Sequence, residues 1–289
     1  MEFVRAADGL DLAYRFWPGE RNKCVVVYWH GIEGHSQWFE NTASVLNEKG
    51  ITVYAPDRRG SGLNASERGH MMSYRAFLAE NEILLARIMQ EHQNEPLVLM
   101  GNCWGAKAAA LVASSDYKSP ISKGSLPLAG LVLTNPAIKT KVDFDLMTKL
   151  KIAYHSLRGD RFACHRWPIP LTTEMLTDNP TYVSYIEKDP LRLTSATAQF
   201  YVETFKLTLL AQSKAKQIDL PLLVLQSGQD RIVDVAALER WYARCPSPNK
   251  QWRLFPDAAH SLDFDRDSFN DYAQMLASWL LERTSPVRK

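Results

Sequence analysis

Short apolar runs, each too short to be a helix, alternate along this chain with segments of helical length. The runs are rich in Val and Leu, as strands that are buried on both faces are. This alternation is typical of a mostly parallel sheet that carries helices on both faces. We predict strands at residues 25–30, 52–57, 97–101, 128–135, 222–228 and 251–256, and helices at about 36–49, 73–92, 104–114, 235–244 and 266–282. Two earlier runs, 2–6 and 12–17, predict an antiparallel hairpin at the sheet edge.

The alternation breaks once, between about residues 136 and 213, where no strand-like run occurs and several loops contain proline. Apolar side chains recur there at helical spacing. The two clearest sets are Leu146, Leu150, Tyr154 and Leu157, and then Tyr201, Phe205 and Leu209. We therefore predict a helical cap at 136–213, inserted into a core formed by 1–135 and 214–289. Open α/β sheets bind ligands at the carboxyl ends of their strands, where we expect the cap to lie.

Composition and charge narrow the class of protein. Lys plus Arg number 34 and Asp plus Glu 32, with no dense basic run, so we expect no nucleic-acid partner. No apolar run reaches the roughly 18 residues of a membrane span, and no signal peptide is recognisable, so we expect a cytoplasmic protein. No dinucleotide-binding or Walker glycine loop is present, and we predict neither cofactor nor metal. Free thiols are predicted at Cys24, Cys103, Cys164 and Cys245, which form no CxxC pair.

Cys103 differs from the other three cysteines because it lies within a sequence motif. The predicted strand 97–101 runs into Gly101-Asn102-Cys103-Trp104-Gly105, and an alanine-rich helix follows. This G-x-C-x-G sequence at a strand-to-helix junction is typical of a nucleophile elbow, in which small flanking residues permit a tight turn. The helix N-terminus and a neighbouring histidine favour the thiolate of a cysteine at that point. The alternative is a structural cysteine that is buried in a glycine-flanked turn.

A carboxylate and a histidine follow in the order that such an enzyme requires. Asp230 comes just after the predicted strand 222–228, where it can accept a hydrogen bond from a histidine ring. The local rival is Asp234, which is better placed as the N-cap of the next helix. His260 lies in a short loop between the last strand and the last helix, and we predict that it is the base. We predict that Cys103, His260 and Asp230 form a catalytic triad.

A glycine-containing loop after the strand 25–30 completes the predicted site. Its sequence is His30-Gly31-Ile32-Glu33-Gly34. We predict that the backbone N–H of Ile32 and that of Trp104, the residue after the nucleophile, form an oxyanion hole. His30 is interpreted as a structural residue that braces the loop.

In these stretches the chain resembles the monoacylglycerol lipase/lysophospholipase-like branch of the α/β hydrolases. Further matches are Ala55-Pro56-Asp57-Arg58-Arg59-Gly60-Ser61-Gly62, Pro170-Leu171-Thr172 and Asp189-Pro190-Leu191, and together they cover about residues 8–279. The resemblance implies the α/β-hydrolase fold, a lid-like cap, and the same roles for positions 103, 230, 260, 32 and 104. The sequence departs from the family pattern in two ways. The family's elbow usually carries serine, and the large ring of Trp104 would narrow the acyl pocket or form its floor.

The predicted activity is acyl hydrolysis of the esterase or thioesterase type, through a covalent acyl-thioester on Cys103. The expected substrate is a small acyl ester or thioester, including a carrier-bound acyl group, and no oligomeric state is predicted. The alternative is an acyltransferase or condensing enzyme that passes the acyl group to an amine, an alcohol or a second acyl unit. Three explanations of Cys103 remain: a native nucleophile, which we favour; a serine replaced by cysteine to trap an acyl-enzyme; and a non-catalytic binding protein.

Overall fold

A computed structural model describes residues 1–20, 23–119, 124, 126–158 and 165–282. Its main sheet consists of β1 (Glu2–Arg5), β2 (Asp11–Trp17), β3 (Val25–Trp29), β4 (Thr52–Pro56), β5 (Leu97–Asn102), β6 (Leu128–Thr134), β9 (Leu222–Ser227) and β10 (Lys250–Phe255). The spatial order is β1-β2-β4-β3-β5-β6-β9-β10. Strand β2 pairs antiparallel with β1 and β4, and all the other pairs in this sheet are parallel. The predicted fold class, a mostly parallel sheet flanked by helices in an α/β-hydrolase arrangement, is confirmed.

The α-helices in the described residues are α1 (Glu40–Glu48), α2 (Tyr74–Glu91), α3 (Gly105–Val112), α4 (Leu146–Leu157), α5 (Thr173–Leu176), α6 (Pro180–Lys188), α7 (Ala198–Ser213), α8 (Val235–Ala243) and α9 (Phe269–Glu282). Apolar side chains of α2, α3 and α8 cover one face of the sheet, and those of α1 and α9 cover the other. Every residue of β3 and of β9 is buried, as expected for strands that are covered on both faces. No helix in the described part of the chain is long and apolar enough to cross a membrane.

Two predicted helices begin later than the sequence pattern suggested. Residues 36–39 form a 3-10 turn, and the α-helix starts only at Glu40. At the last helix the side chain of Asp265 accepts the N–H groups of Asp267 and Ser268, at 3.2 and 2.7 Å, and the helix therefore starts at Phe269 instead of 266. Such local side-chain hydrogen bonds compete with helical ones at helix ends.

Residues 136–213, which we propose as the cap, hold α4 to α7 and one feature that was not predicted. Two short strands, β7 (Arg166–Pro168) and β8 (Ser195–Thr197), pair antiparallel, so the expectation that no strand occurs there was wrong. Each has only three residues, too few for a periodic pattern to be visible. Helix α7 packs on α3 and α2 of the core and on α4, and so it joins this segment to the core.

The apolar residues that recur at helical spacing along α4 do not face the core. Leu146, Leu150, Tyr154 and Leu157 are all more than half exposed, and Ile152 is the buried residue of this helix. Helical spacing identifies an apolar face, but it does not say whether the fold covers that face. Among the cysteines, Cys24, Cys103 and Cys245 are buried free thiols, and Cys164 lies outside the described residues.

Candidate active site

Cys103 occupies a strained turn between β5 and α3. Its φ of 50° lies in the left-handed region, which residues other than glycine rarely adopt. The end of β6 anchors this turn from both sides, because the Cys103 N–H donates to the carbonyl of Thr134 (2.9 Å) and the Cys103 carbonyl accepts from Ala137 (3.0 Å). The strain is therefore held by the surrounding structure, which is the property of a nucleophile elbow.

The glycine two residues after Cys103 permits this turn by a close backbone approach. A Cβ atom on Gly105 would lie 2.3 Å from the carbonyl oxygen of Trp29 and 2.7 Å from that of His30. Both contacts are with backbone, which cannot move aside as a flexible side chain can. The small residue at this position thus allows α3 to start directly against the end of β3.

Replacing Gly105 with alanine is expected to lower the free energy of unfolding by about 3 kcal/mol, since an inserted methyl group must push α3 away from β3. Urea denaturation followed by circular dichroism measures this loss. A variant as stable as the wild type would show that α3 can shift at no cost, and the elbow would then not depend on a small residue at this position.

The structure brings His260 and Asp230 together as a buried pair. Nδ1 of His260 lies 2.8 Å from Oδ2 of Asp230, and both residues are only 2% exposed. Oδ1 of Asp230 accepts the N–H groups of Ile232 (2.8 Å) and Val233 (2.9 Å), while Gln226 donates to Oδ2 at 3.0 Å. The carboxylate is therefore fixed by four donors and orients the ring of His260.

Electrostatics favour the charged forms of both partners. Burial alone raises the pKa of Asp230, but the charge and the hydrogen bond of His260, with the two backbone N–H groups, hold that pKa below its ordinary value. Burial alone lowers the pKa of His260, but the charges of Asp230 and Cys103 and the hydrogen bond with Asp230 raise it well above the ordinary value. The rival carboxylate, Asp234, accepts the N–H of Ala237 (3.0 Å) and caps α8.

The second ring nitrogen of His260, Nε2, is the one available to Cys103. Nε2 has no hydrogen bond of ordinary geometry among the described residues, and the Cys103 thiol lies close enough to raise the pKa of the ring. Cys103 is 5% exposed and, like His260, sits under the surface. The nucleophile, base and acid predicted from the sequence thus converge on one buried location.

The loop after β3 is held by the histidine that precedes it. The N–H of Arg58 donates to Nε2 of His30 at 3.0 Å, so the proton of the ring is on Nδ1, which donates to the carbonyl of Gly31 at 2.8 Å. That carbonyl belongs to the same peptide group as the N–H of Ile32. Burial and the charge of Arg58 lower the pKa of His30 well below its ordinary value, so the ring stays neutral and keeps both hydrogen bonds. His30 therefore braces the predicted oxyanion loop.

The two predicted oxyanion donors are both available. Within the described residues neither the N–H of Ile32 nor that of Trp104 donates to a protein acceptor. Gly31 lies against the nucleophile, since a Cβ atom on it would be 3.3 Å from Cβ of Cys103. The ring of Trp104 packs between Phe77 and Phe200, and its Nε1 donates to Thr204 of α7 at 3.1 Å.

Asn135 supports the site and was not predicted from the sequence. It is completely buried, adopts a φ of 43°, and donates from its amide to the carbonyl of His260. Its side-chain oxygen accepts the N–H of Ser227 (2.7 Å), so it links the ends of β6 and β9 to the histidine loop. An asparagine at the end of a strand is a signal for the left-handed conformation, but the partners of its side chain are distant in sequence.

Two buried polar pairs tie the predicted oxyanion loop to the segment before β8, and they too were not predicted. Glu33 pairs with Arg192 at 2.8 Å, and His35 lies 2.7 Å from Asp189. Burial raises the pKa of Glu33 to about 7 although Arg192 acts against it. Partners more than 150 residues apart leave no local pattern in a sequence.

In the described part of the chain, no group of three or more His, Cys, Asp or Glu side chains could hold a metal ion.

Comparisons with known proteins show the family to which this chain belongs. A family model described as "Serine aminopeptidase, S33" (Hydrolase_4) matches residues 20–267. Phospholipase YtpA of Bacillus subtilis is 23% identical over 252 residues, which cover 85% of this chain and 91% of that protein. Human monoglyceride lipase is 23% identical over 282 residues, which cover 96% of this chain and 89% of that protein. A soluble variant of the monoglyceride lipase from Saccharomyces cerevisiae, solved with a substrate analog, superposes with a TM-score of 0.85 at 18% identity and covers 99% of this chain and 96% of that one. Since the family model covers well over half of the chain, this protein belongs to the Hydrolase_4 family of the α/β hydrolases.

Proposed function

We propose that this protein is a cysteine-dependent acyl hydrolase that acts on small esters or thioesters, including carrier-bound acyl groups. The observation that carries the proposal is the buried meeting of Cys103, in its left-handed turn, with the His260–Asp230 pair. The free N–H groups of Ile32 and Trp104 support it, because acyl transfer needs donors where negative charge develops. Residues 136–213 serve in this proposal as the cap over the site.

The first half of the reaction acylates the enzyme. Nε2 of His260 accepts the proton of Cys103, and Sγ forms a bond to the acyl carbon while the carbonyl electron pair moves to oxygen. The resulting oxyanion accepts hydrogen bonds from Ile32 and Trp104. When it collapses, the bond to the leaving group breaks, and the leaving alcohol or thiol takes the proton from His260. Asp230 stabilises the imidazolium that exists between these two proton transfers.

The second half releases the acid. His260 takes a proton from water, the hydroxide oxygen bonds to the acyl carbon, and the same two N–H groups bind the oxyanion. Collapse then breaks the C–S bond, and Sγ of Cys103 recovers the proton from His260. Water enters as the only co-reactant of this proposed reaction.

Transfer to another acceptor is the second candidate, and Cys103 itself is the observation that favours it. A thioester is more reactive toward amines, relative to water, than an oxygen ester is. The acyl-enzyme would also form at a residue that is 5% exposed, which limits the access of water. The mechanism changes only in the group that His260 deprotonates in the second half.

Incubation with a panel of acyl thioesters and p-nitrophenyl esters tests both candidates. We expect the intact mass to rise by one acyl group, located on Cys103 by peptide mapping, and the free acid to accumulate in water. Millimolar amines or alcohols should leave the product ratio unchanged for a hydrolase and divert product for a transferase. An acyl group found on a residue other than Cys103 would contradict the proposal.

A further inference from the structure

Arg58 is a buried cation next to the predicted oxyanion loop. It is 5% exposed, and among the described residues it forms no ion pair. The neighbouring carboxylate is occupied by the backbone, since Oδ1 of Asp57 accepts the N–H of Ser36 (2.6 Å) and Oδ2 accepts that of Leu63 (2.9 Å). Burial lowers the pKa of Arg58 to about 9, and the charge of Asp57 acts in the opposite direction. The guanidinium is therefore charged at neutral pH.

The guanidinium of Arg58 uses little of its capacity to donate hydrogen bonds. Nη2 donates to the carbonyl of Ile32 at 2.9 Å, while Nη1 is buried without a partner in the described part of the chain. A guanidinium has five N–H donors, and buried donors are normally bound. An apolar side chain would fill the same space at a lower cost, because a polar N–H that is buried without an acceptor destabilises the folded state. The contact with Ile32 is therefore expected to have a functional reason.

That contact belongs to a series along the predicted oxyanion loop. Each carbonyl group of residues 31–34 accepts a hydrogen bond, and the donors in chain order are Nδ1 of His30, Nη2 of Arg58, the N–H of Leu193 and the hydroxyl of Ser61. Only Arg58 among these donors is charged, and charge-assisted hydrogen bonds are the stronger ones. The peptide groups before and after Ile32 are thus both held, which sets the direction of its N–H.

The same guanidinium lies over the ring of Trp104, the residue that provides the second predicted donor. Cζ of Arg58 is 4.6 Å from the centre of that ring and 5.2 Å from the centre of the Phe200 ring. The backbone of Arg58 is tied to the loop as well, because its N–H donates to Nε2 of His30 at 3.0 Å. One side chain therefore contacts both residues whose N–H groups would bind the oxyanion.

We infer that Arg58 is a positioning residue of the oxyanion hole, which keeps the N–H groups of Ile32 and Trp104 aimed at one point. This inference rests on the proposed function. Arg58 touches no reacting atom and acts through the two residues that it joins. A displacement of about 1 Å in a site can lower a rate by about 100-fold, so the loss of Arg58 should slow steps that form an oxyanion.

Two reactions of Cys103 separate the oxyanion hole from the nucleophile. Acylation by a p-nitrophenyl ester passes through an oxyanion, whereas iodoacetamide alkylates the sulfur by displacement of iodide and forms none. We expect the ratio of the acylation rate to the alkylation rate to fall about 100-fold in Arg58→Met. Release of p-nitrophenolate and mass spectrometry of the Cys103 peptide measure the two rates. An oxyanion is common to every acyl group, so the fall should be the same for a short and a long acyl chain.

The next arginine along the chain provides the matched control. Arg59 is paired with Glu80 at 2.6 Å and with Asp8 at 3.0 Å, and Arg59→Met should leave the ratio within about twofold of the wild type. Arg58→Lys keeps the charge but replaces the planar fork with a single ammonium, so its ratio should fall about tenfold.

The buried thiols Cys24 and Cys245 report on folding in the same experiment, since alkylation would reach them in an unfolded variant. If Arg58→Met is unfolded by this criterion, Arg58→Lys provides the test in its place.

The outcomes separate the two proposals. If no ester or thioester acylates wild-type Cys103, the proposed function fails and the inference fails with it. If wild-type Cys103 is acylated and the folded Arg58 variants have the ratio of the wild type, the inference is overturned while the proposed function stands. A fall that depends on the length of the acyl chain, or that occurs equally in Arg59→Met, also overturns the inference, because the position of the two N–H groups would then not be its cause.

Discussion

Replacement of Cys103 with alanine is expected to abolish turnover of every acyl substrate that the wild type accepts. The variant keeps Asp230, His260 and the two oxyanion donors, but it has no atom that can bond to the acyl carbon. Removal of a triad nucleophile lowers kcat by about four to six orders of magnitude, with the residual rate coming from binding and the oxyanion hole. The measurement is kcat/KM with the best substrate of the panel, together with the loss of the acyl adduct in intact mass.

A second buried thiol provides the matched control. Cys245 is 2% exposed and its Sγ lies 3.6 Å from the carbonyl of Trp241, in the core beneath α8. Cys245→Ala should therefore keep its activity within about twofold, since surroundings remote from the site affect stability more than chemistry. If a reagent modified Cys103 completely and the rate stayed intact, Cys103 would not be the nucleophile.

Two further variants distinguish the explanations of Cys103. In His260→Ala a receptor would still bind its ligand, whereas an enzyme would lose turnover. In Cys103→Ser a site adapted to transfer should shift its products toward hydrolysis, because the intermediate becomes an oxygen ester. A serine variant that is a faster hydrolase with an unchanged product ratio would favour a cysteine introduced in place of serine.

The parallel core could be predicted from the sequence because its signals are local. Strands that are buried on both faces, such as β3 and β9, must be continuous apolar runs, and helices between them must span the sheet. The residues of the candidate site were also predictable, since Cys103, Asp230 and His260 each lie within five residues of the end of a strand. The carboxyl ends of parallel strands meet at one edge, so three separate positions in the sequence become neighbours in space.

The rest of the site depends on contacts that no local pattern encodes. The amide of Asn135 joins two strand ends and the histidine loop, and the pairs of Glu33 with Arg192 and of His35 with Asp189 connect distant segments. The direction of the apolar face of α4 is equally non-local, because it depends on where α7 packs. Spacing showed that these residues form a helix, and only the assembled fold shows which side of it is left exposed.

Asp230→Asn is expected to lower kcat/KM by about two to four orders of magnitude. The amide is close in shape to the carboxylate, but its nitrogen is a donor and cannot accept the Nδ1–H of His260, so the ring loses its orientation. It also lacks the negative charge that helps raise the pKa of His260, and the imidazolium between the two proton transfers is less stable. Steady-state kinetics at saturating and limiting substrate measure both effects. Cysteine–histidine pairs depend less on the third residue than serine–histidine pairs do. The smallest expected loss of kcat/KM is therefore about 100-fold.

The matched control makes the same chemical change four residues later. Asp234 caps α8 through Ala237 and is not bonded to His260, and asparagine is also a good N-cap, so Asp234→Asn should change the free energy of unfolding by about 1 kcal/mol or less and leave kcat/KM nearly unchanged. If the two effects were reversed, the acid of the triad would be Asp234. If Asp230→Asn lowered the rate less than about tenfold while Cys103→Ala abolished it, the working unit would be a Cys103–His260 dyad, and the buried carboxylate would serve to hold the ring in place.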